Sequence, residues 1–133
     1  MILVLVFFNF LLDLMFIGRA SAQEIDFGSE RHNLIYKIAP AYGVDPELAI
    51  AITYCEGSSY KRVGNNKNIK DGQHWSTDVG WWQINDYYHE ARAMGMGLDI
   101  RNDKDNIIYG LFLLGTEGVN HWKASKNCWN PLV

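Results

Sequence analysis

The 133-residue sequence has no excess of basic side chains, since 12 Lys and Arg stand against 15 Asp and Glu for a formal net charge of −3. A nucleic-acid-binding protein presents a basic face to phosphates, so this balance argues against nucleic acid as a partner. The sequence also lacks internal repeats, low-complexity tracts and Pro-, Gly- or Ser-rich linkers. We therefore expect one globular domain, which we predict to be a monomer.

Metal-ligand patterns are missing as well. The four His are scattered, and His89-Glu90 does not extend to the H-E-x-x-H of a helical zinc site. Asn102 and Asp103 belong to an Asp/Asn cluster that lacks the glycine and the terminal glutamate of a calcium loop, so we interpret them as helix caps. We predict no metal and no cofactor.

The sequence has one long hydrophobic run, at its N-terminus. Met1–Ile17 is almost wholly apolar and is followed by the small-x-small site Ala20-Ser21-Ala22, which is typical of a secretory signal cleaved after Ala22. No Lys or Arg precedes the run and Asp13 interrupts it, so an uncleaved membrane anchor is the alternative, although the run is short of the ~20 residues of a membrane span. We expect a signal peptide at residues 1–22 and a domain at residues 23–133, exported to the periplasm, the cell envelope or the medium.

Cysteine is scarce, with Cys55 and Cys128 as the two examples. An even count in an exported chain favours a disulfide. This bridge would close a loop of about 74 residues, worth roughly 4 kcal/mol in the chain-entropy model. Two free thiols are the alternative, because spatial proximity cannot be read from the sequence.

Hydrophobic periodicity predicts a mainly α fold (α+β). A helix at Glu30–Tyr42 contains Pro40, which makes its end uncertain, and Gly43 supplies a stop. The clearest helix start is Asp45, a good N-cap, before a helix at Pro46–Glu56 that is apolar on nearly every face and is therefore expected to be buried.

The rest of the chain alternates between polar turns and short helices. Gly57–Gln73 is rich in turn residues and is expected to be irregular or a short β-hairpin. A short helix is predicted at Tyr87–Met96, and a longer one from Asn102 and Asp103 to near Gly115. Gly118–Trp129 is mixed, with a short helix or turn. The predicted architecture is a helical bundle with a small β or loop lobe flanking a cleft.

Glu56 is the first candidate for chemistry. It follows Ile52 by four positions on the buried face of its helix. Poor solvation and the negative end of the helix dipole both raise the pKa of such a carboxyl. A carboxyl that keeps its proton near neutral pH suits general-acid cleavage of an ether-like bond, because the leaving oxygen needs a proton. A glutamate that simply faces solvent at a helix end is the alternative.

Asp78 is the second carboxylate of interest, 22 residues after Glu56. Glycosidases commonly pair a protonated acid with an ionised partner across the scissile bond. Asp78 could be that partner, or it could only order its turn. The same region is rich in Trp and Tyr, whose flat apolar faces and polar edges suit the binding of sugars.

Several short stretches follow one another in a characteristic order from Tyr42 to Trp129. They are Tyr42-Gly43-Val44-Asp45-Pro46-Glu47-Leu48-Ala49, Glu56, Asp78-x-Gly80-x-x-Gln83-Ile84-Asn85, His89 and Asp105-Asn106-Ile107-x-x-Gly110. This order resembles the lytic transglycosylase branch of the lysozyme-like superfamily. Ser76-Thr77-Asp78 with the motif that follows it, and Asn120-x-Trp122-x-Ala124 before Cys128, are also similar to animal-type lysozymes.

The resemblance implies cleavage of peptidoglycan glycan strands between N-acetylmuramic acid and N-acetylglucosamine. Glu56 takes the family's position of general acid and then base. Gln83 and Asn85 match positions that contact sugar hydroxyl and N-acetyl groups, and Trp122 matches an indole that forms an apolar cleft wall. The family's serine follows its glutamate directly, whereas here Gly57 intervenes, so Ser59 is taken as the substrate-binding serine, with its neighbour as the alternative.

The resemblance leaves three functions open. A lytic transglycosylase, favoured by the motif order, would use Glu56 alone and form a 1,6-anhydro product, whereas a lysozyme-type hydrolase would also use Asp78 and admit water. A non-catalytic glycan-binding module would not need Glu56. Envelope machinery is a possible partner of any of these. Which of Trp81 and Trp82 faces the sugar is not decided by alternation.

Overall fold

The computed structural model describes residues 27–57, 66–70 and 74–133. Most of these residues are helical, and one small antiparallel sheet of three strands accompanies the helices, which confirms the predicted mainly α class. The predicted signal peptide at residues 1–22 lies outside the described residues. The helices and strands are α1 (Phe27–Ile38), α2 (Pro46–Glu56), β1 (Asn66–Lys70), β2 (His74–Val79), β3 (Ile84–Asn85), α3 (Asp86–Gly95), α4 (Asp103–Glu117) and α5 (Lys126–Trp129).

The first two helices are close to their predicted positions. α1 begins earlier than predicted and ends at Ile38, where a 3₁₀ helix continues over Ala39–Tyr42, since Pro40 has no N–H for the α-helical pattern. Gly43 then ends the segment with φ of 66°, a left-handed conformation that glycine adopts readily. α2 has the predicted bounds, and the Asp45 carboxylate accepts a hydrogen bond of 3.0 Å from the Glu47 N–H.

Three antiparallel strands form the lobe beside the helices, in the order β1-β2-β3. Asn66 lies opposite Asp78 in the β1–β2 pair, and Asp78 lies opposite Asn85 in the β2–β3 pair. β1 lies within Gly57–Gln73, which was expected to be irregular or a short β-hairpin, but its partner strand β2 begins after that region, at His74. Residues 58–65 and 71–73 lie outside the described residues. Asp78 therefore belongs to a strand, at the centre of this sheet.

α4 corrects one sequence prediction. The helix was expected to stop near Gly115, but it continues to Glu117 and ends at Gly118, whose φ is 68°. A Cβ at Gly115 would collide with the carbonyl oxygen of Tyr42. This glycine permits close approach of the chain after α1, and it does not end the helix. α3 is displaced by one position from its prediction, and Gly118–Ser125 is a 3₁₀ helix that leads into α5.

The core includes buried residues of α1, α2, α4 and the segment that joins β2 to β3. The middle of α2 is buried, as predicted from its apolar composition. The largest wholly buried side chains include Trp82, Tyr109, Ile35, Ile52 and Leu111. None of the helices in the described ranges combines the length and the apolar character of a membrane-spanning segment.

Candidate active site

A cleft of about 280 Å³ lies between the end of α2, the sheet and the C-terminal helices. It brings together five of the residues named from the sequence: Glu56, Asp78, Gln83, Asn85 and Trp122. Ser59, the remaining predicted substrate-binding residue, lies outside the described residues. The cleft is also lined by Trp82, one of the two tryptophans left open in the sequence, and by residues for which no role was predicted: Ile84, Tyr88, His89, Leu113, His121 and Ala124.

Glu56 is the last residue of α2 and is half-buried at the cleft wall. Burial raises the pKa of its carboxyl, and the negative charge of Asp78 raises it further. A hydrogen bond from the Ser125 hydroxyl acts in the opposite direction on this pKa, with an effect smaller than that of burial. The carboxyl thus keeps its proton to higher pH than an ordinary glutamate, while it remains accessible from the cleft.

Asp78 is held in place by its neighbour across the β2–β3 pair. The side-chain amide of Asn85 donates hydrogen bonds to the Asp78 Oδ1 at 3.0 Å and to the Ser76 Oγ at 2.9 Å. The Asn85 Oδ1 is buried and accepts no hydrogen bond within the part of the chain that the structure describes. The Asn85 amide nitrogen thus orients Asp78, and a direct contact of Asn85 with sugar stays a prediction.

The turn between β2 and β3 has two residues in the left-handed region. Gly80 has φ of 71°, and a Cβ there would lie 2.5 Å from the Asn106 side chain. Gln83 has φ of 48°, which is uncommon for a residue with a side chain and indicates a constrained backbone. The Gln83 Nε2 donates to the Gly80 carbonyl at 2.8 Å, so the turn fixes the side chain that faces the cleft.

The side chain of Asn106 holds this turn in place by hydrogen bonds to its backbone. Its side chain is wholly buried, and its Oδ1 accepts a hydrogen bond of 3.2 Å from the Trp82 N–H. Its Nδ2 donates to the carbonyls of Val79 and Ile100, each at 2.9 Å. Asn106 appeared in the sequence motif without a role. The structure shows that it joins α4 to the strand end behind the cleft.

The two adjacent tryptophans face different surroundings. Trp82 lies against the cleft and is wholly buried, with its ring centroid 4.8 Å from that of Trp122. The Trp122 indole N–H donates to the Trp82 carbonyl at 2.9 Å. Trp81 packs instead under the Arg31 guanidinium, whose carbon lies 4.6 Å from the ring centroid. Trp82 is therefore the tryptophan of this pair on the cleft side.

Two histidines form another part of the cleft lining. The His89 and His121 ring centroids are 5.0 Å apart, and the His89 Nδ1 lies 3.2 Å from the Tyr109 hydroxyl. Burial lowers the pKa of His89, and the neighbouring His121 lowers it further. The His121 Nε2 lies 2.6 Å from a Glu117 carboxylate oxygen. His89 was part of the sequence motif, but its contact with His121 could not be predicted, because the fold brings these distant positions together.

A disulfide joins Cys55 to Cys128, as predicted from the even cysteine count. The two Cα atoms are 5.9 Å apart, and the bond links the last turn of α2 to α5. Because Cys55 directly precedes Glu56, the bridge holds the C-terminal segment against the helix end that carries this carboxyl.

Among the described residues, no group of three or more His, Cys, Asp or Glu side chains is placed to hold a metal ion. Comparisons with protein-family models, with curated proteins and with solved structures find no significant match to this chain. The cleft and the motif order of the sequence are therefore the features that indicate a function.

Proposed function

We propose that this protein cleaves the glycan strands of peptidoglycan as a lytic transglycosylase, with Glu56 as general acid and then general base. The observation that carries the proposal is the half-buried Glu56 carboxyl, with its raised pKa, at the wall of a cleft that Trp82 and Trp122 line. An acid of this kind can protonate a glycosidic oxygen near neutral pH. The order of motifs from Tyr42 to Trp129, which resembles that of lytic transglycosylases, supports the same activity.

The reaction needs one proton donor and one internal nucleophile. Glu56 gives its proton to the glycosidic oxygen, and the bond from this oxygen to the muramyl C1 breaks with its electron pair on the leaving sugar. The Glu56 carboxylate then takes the proton from the muramyl 6-hydroxyl, and that oxygen bonds to C1. The products are a 1,6-anhydromuramyl end and a free 4-hydroxyl, and Glu56 regains its proton.

A lysozyme-type hydrolase is the second candidate, and the setting of Asp78 favours it. Asp78 lines the same cleft as Glu56, its charge acts on the Glu56 pKa, and Asn85 fixes its Oδ1. An ionised carboxylate in this place could stabilise or trap the oxocarbenium-like centre until water attacks. The product would then carry a reducing end.

Export of the protein belongs to the same proposal, because peptidoglycan lies outside the cytoplasmic membrane. The Cys55–Cys128 disulfide is compatible with an oxidising compartment, where such bonds form and persist. We place the protein in the periplasm, in the cell envelope or outside the cell, with residues 1–22 as its signal and residues 23–133 as its catalytic domain.

Digestion of purified sacculi tests the proposal. The full chain, expressed with its own N-terminal segment and recovered with its disulfide intact, is compared with Glu56→Gln, and released muropeptides are analysed by mass spectrometry. We expect the wild type to release anhydro-ended fragments and E56Q to lose at least about 100-fold in rate, because a general acid contributes on that order. Equal release by both proteins, or release by neither, contradicts the proposal.

Two further variants make the experiment specific. Glu47→Gln replaces an exposed carboxylate at the opposite end of α2 and is expected to keep wild-type activity. Asp78→Asn separates the two candidates, because a transglycosylase should keep most of its activity, whereas a hydrolase should lose it and should give reducing ends in the wild type. Binding of sacculi without any release would instead indicate a glycan-binding module.

A further inference from the structure

The cleft has a basic part as well as an acidic one. The imidazole rings of His89 and His121 line it with their centroids 5.0 Å apart, whereas the carboxyls of Glu56 and Asp78 belong to another part of the lining. His89 lies on α3, and His121 lies on the 3₁₀ helix that leads into α5. The reaction proposed for Glu56 requires neither imidazole ring.

Tyr109 fixes the ring of His89 from the protein interior. The tyrosine is wholly buried, and its hydroxyl oxygen lies 3.2 Å from the His89 Nδ1. Burial raises the pKa of Tyr109, so the phenol keeps its hydrogen and can donate it to Nδ1. The other ring nitrogen, Nε2, has no hydrogen-bond partner in the described ranges and is not sealed from solvent. With Nδ1 as acceptor, the ring carries its own hydrogen on Nε2, where a ligand can accept it.

Glu117 and Arg92 hold the second histidine. The His121 Nε2 lies 2.6 Å from the Glu117 Oε2, and the Arg92 guanidinium forms an ion pair with the other oxygen of the same carboxylate. Arg92 and then His121 lower the pKa of Glu117, which keeps this carboxyl ionised. Because the charge of Arg92 balances that of Glu117, a proton on either His89 or His121 gives the cluster a net positive charge.

We propose that His89 and His121 form a binding site for a carboxylate of the stem peptide that muramic acid carries. The Nε2–H of His89 donates to this carboxylate, and His121 adds positive charge when it is protonated. Hydrogen bonds in which one partner is ionised are stronger than those between neutral groups. The inference deepens the proposed function, on which it rests for the identity of the ligand.

A carboxylate fits this part of the cleft better than the neutral groups of a sugar. It accepts hydrogen bonds without donating any, and the charge of Asp78 repels it from the acidic part of the lining. Burial and the neighbouring His121 lower the pKa of His89, and a bound carboxylate would oppose both effects by favouring the imidazolium. Carboxylate binding and protonation of His89 therefore strengthen each other.

Two disaccharide ligands test the site separately from catalysis. N-acetylglucosaminyl-N-acetylmuramic acid with its stem peptide lacks the bond that the proposed reaction cleaves, and the comparison ligand is the same molecule with its stem carboxylates converted to amides. Binding to the full chain, with its disulfide intact, is measured by calorimetry. We expect the wild type to bind the acid form about tenfold more tightly, as one hydrogen bond to a charged group predicts.

His89→Asn isolates the nitrogen that faces the ligand. Asparagine keeps a polar atom near the position of Nδ1 and has none at the position of Nε2, so this variant is expected to bind both ligands alike. His32→Asn is the matched control, because His32 lies on α1 and does not line the cleft. It should prefer the acid form as the wild type does.

Acidification gives a second readout. Arg92 and His121 favour the neutral form of His89, and Glu117 favours the charged form. The affinity of the wild type relative to His89→Asn for the acid form should rise as pH falls below the ordinary histidine pKa of about 6.5. Protonation of Glu56 in the same range acts on both proteins and cancels in this ratio.

The inference is overturned if the wild type binds both disaccharides equally or binds neither, or if His89→Asn still prefers the acid form. The comparison of the two ligands on the wild type does not depend on the folding of any variant. Cleavage of sacculi by a wild type that ignores the stem carboxylates refutes the site alone. A preference for the acid form without cleavage of sacculi refutes the proposed enzyme and leaves the site.

Discussion

A single carboxyl, that of Glu56, couples the stability of the protein to the function that we propose for it. Its pKa in the folded chain is raised, first by burial and then by the charge of Asp78. Between the ordinary glutamate pKa and this raised value, the folded state binds more protons than the unfolded state. The free energy of unfolding therefore falls as pH rises through that interval. Ionised Glu56 is a source of instability near neutral pH.

Glu56→Gln should remove this cost, because an amide of the same shape does not ionise. We expect E56Q to be as stable as the wild type in acid, below the ordinary glutamate pKa of about 4.3, and more stable near neutral pH. The difference should grow as pH rises through the folded-state pKa and then level off. Thermal unfolding across this pH range measures it.

Glu47→Gln serves as the control at the other end of the same helix. Glu47 lies in the first turn of α2, where a negative charge is favourable, so its replacement should give no gain near neutral pH. If E56Q and the wild type differ by the same amount at every pH, the carboxyl of Glu56 is not the source of the pH dependence.

At the scale of elements, the side chain of Asn106 links α4 to the end of β2 by hydrogen bonds. Asn106→Ala would leave the Trp82 N–H and the carbonyls of Val79 and Ile100 buried without their present partner. Each such group costs about 1–3 kcal/mol. We expect a loss of about 3–5 kcal/mol in the free energy of unfolding, measured by denaturant titration.

Asn120→Ala provides the comparison for this substitution. Asn120 is exposed and donates one hydrogen bond of 2.9 Å, to the Glu117 carbonyl, so water can replace its amide. Its removal should cost less than about 1 kcal/mol. Similar losses for both variants would show that the buried hydrogen bonds of Asn106 do not hold the turn.

Some helix ends could be predicted from the sequence and others could not. The bounds of α2 were predictable because Asp45 and Pro46 define a helix start by local chemistry alone. The end of α4 was not, because Gly115 is there for its contact with Tyr42, which only the fold creates. A glycine that stops a helix and a glycine that permits close packing are indistinguishable in sequence.

Some cleft residues could likewise be predicted from the sequence, and others could not. Glu56, Asp78 and Gln83 were identified from a motif, and the structure places them around one cleft. Trp81 and Trp82 could not be assigned to sides, because the positive φ of Gly80 and Gln83 breaks the alternation of a strand. Contacts of Glu56 with distant residues, such as Ser125, depend on packing between segments that the sequence does not relate.

At the scale of the whole molecule, the Cys55–Cys128 disulfide joins segments 73 residues apart, the end of α2 and α5. A bridge over a loop of this length restricts the unfolded chain strongly and contributes about 4 kcal/mol in the chain-entropy model. A domain of this size has a free energy of unfolding of about 5–15 kcal/mol. The disulfide therefore contributes a large fraction of the free energy of unfolding, and it holds the C-terminal segment against the cleft.

The double variant Cys55→Ser/Cys128→Ser should accordingly unfold with a free energy lower by about 4 kcal/mol, measured by denaturant titration with tryptophan fluorescence. Replacing both residues avoids a free thiol that could form other bonds. Wild-type protein under a strong reductant should match the double variant, because both lack the same cross-link. Unchanged stability in both cases would show that packing alone keeps α5 beside α2. A loss confined to the double variant would point to the serine side chains and not to the bond.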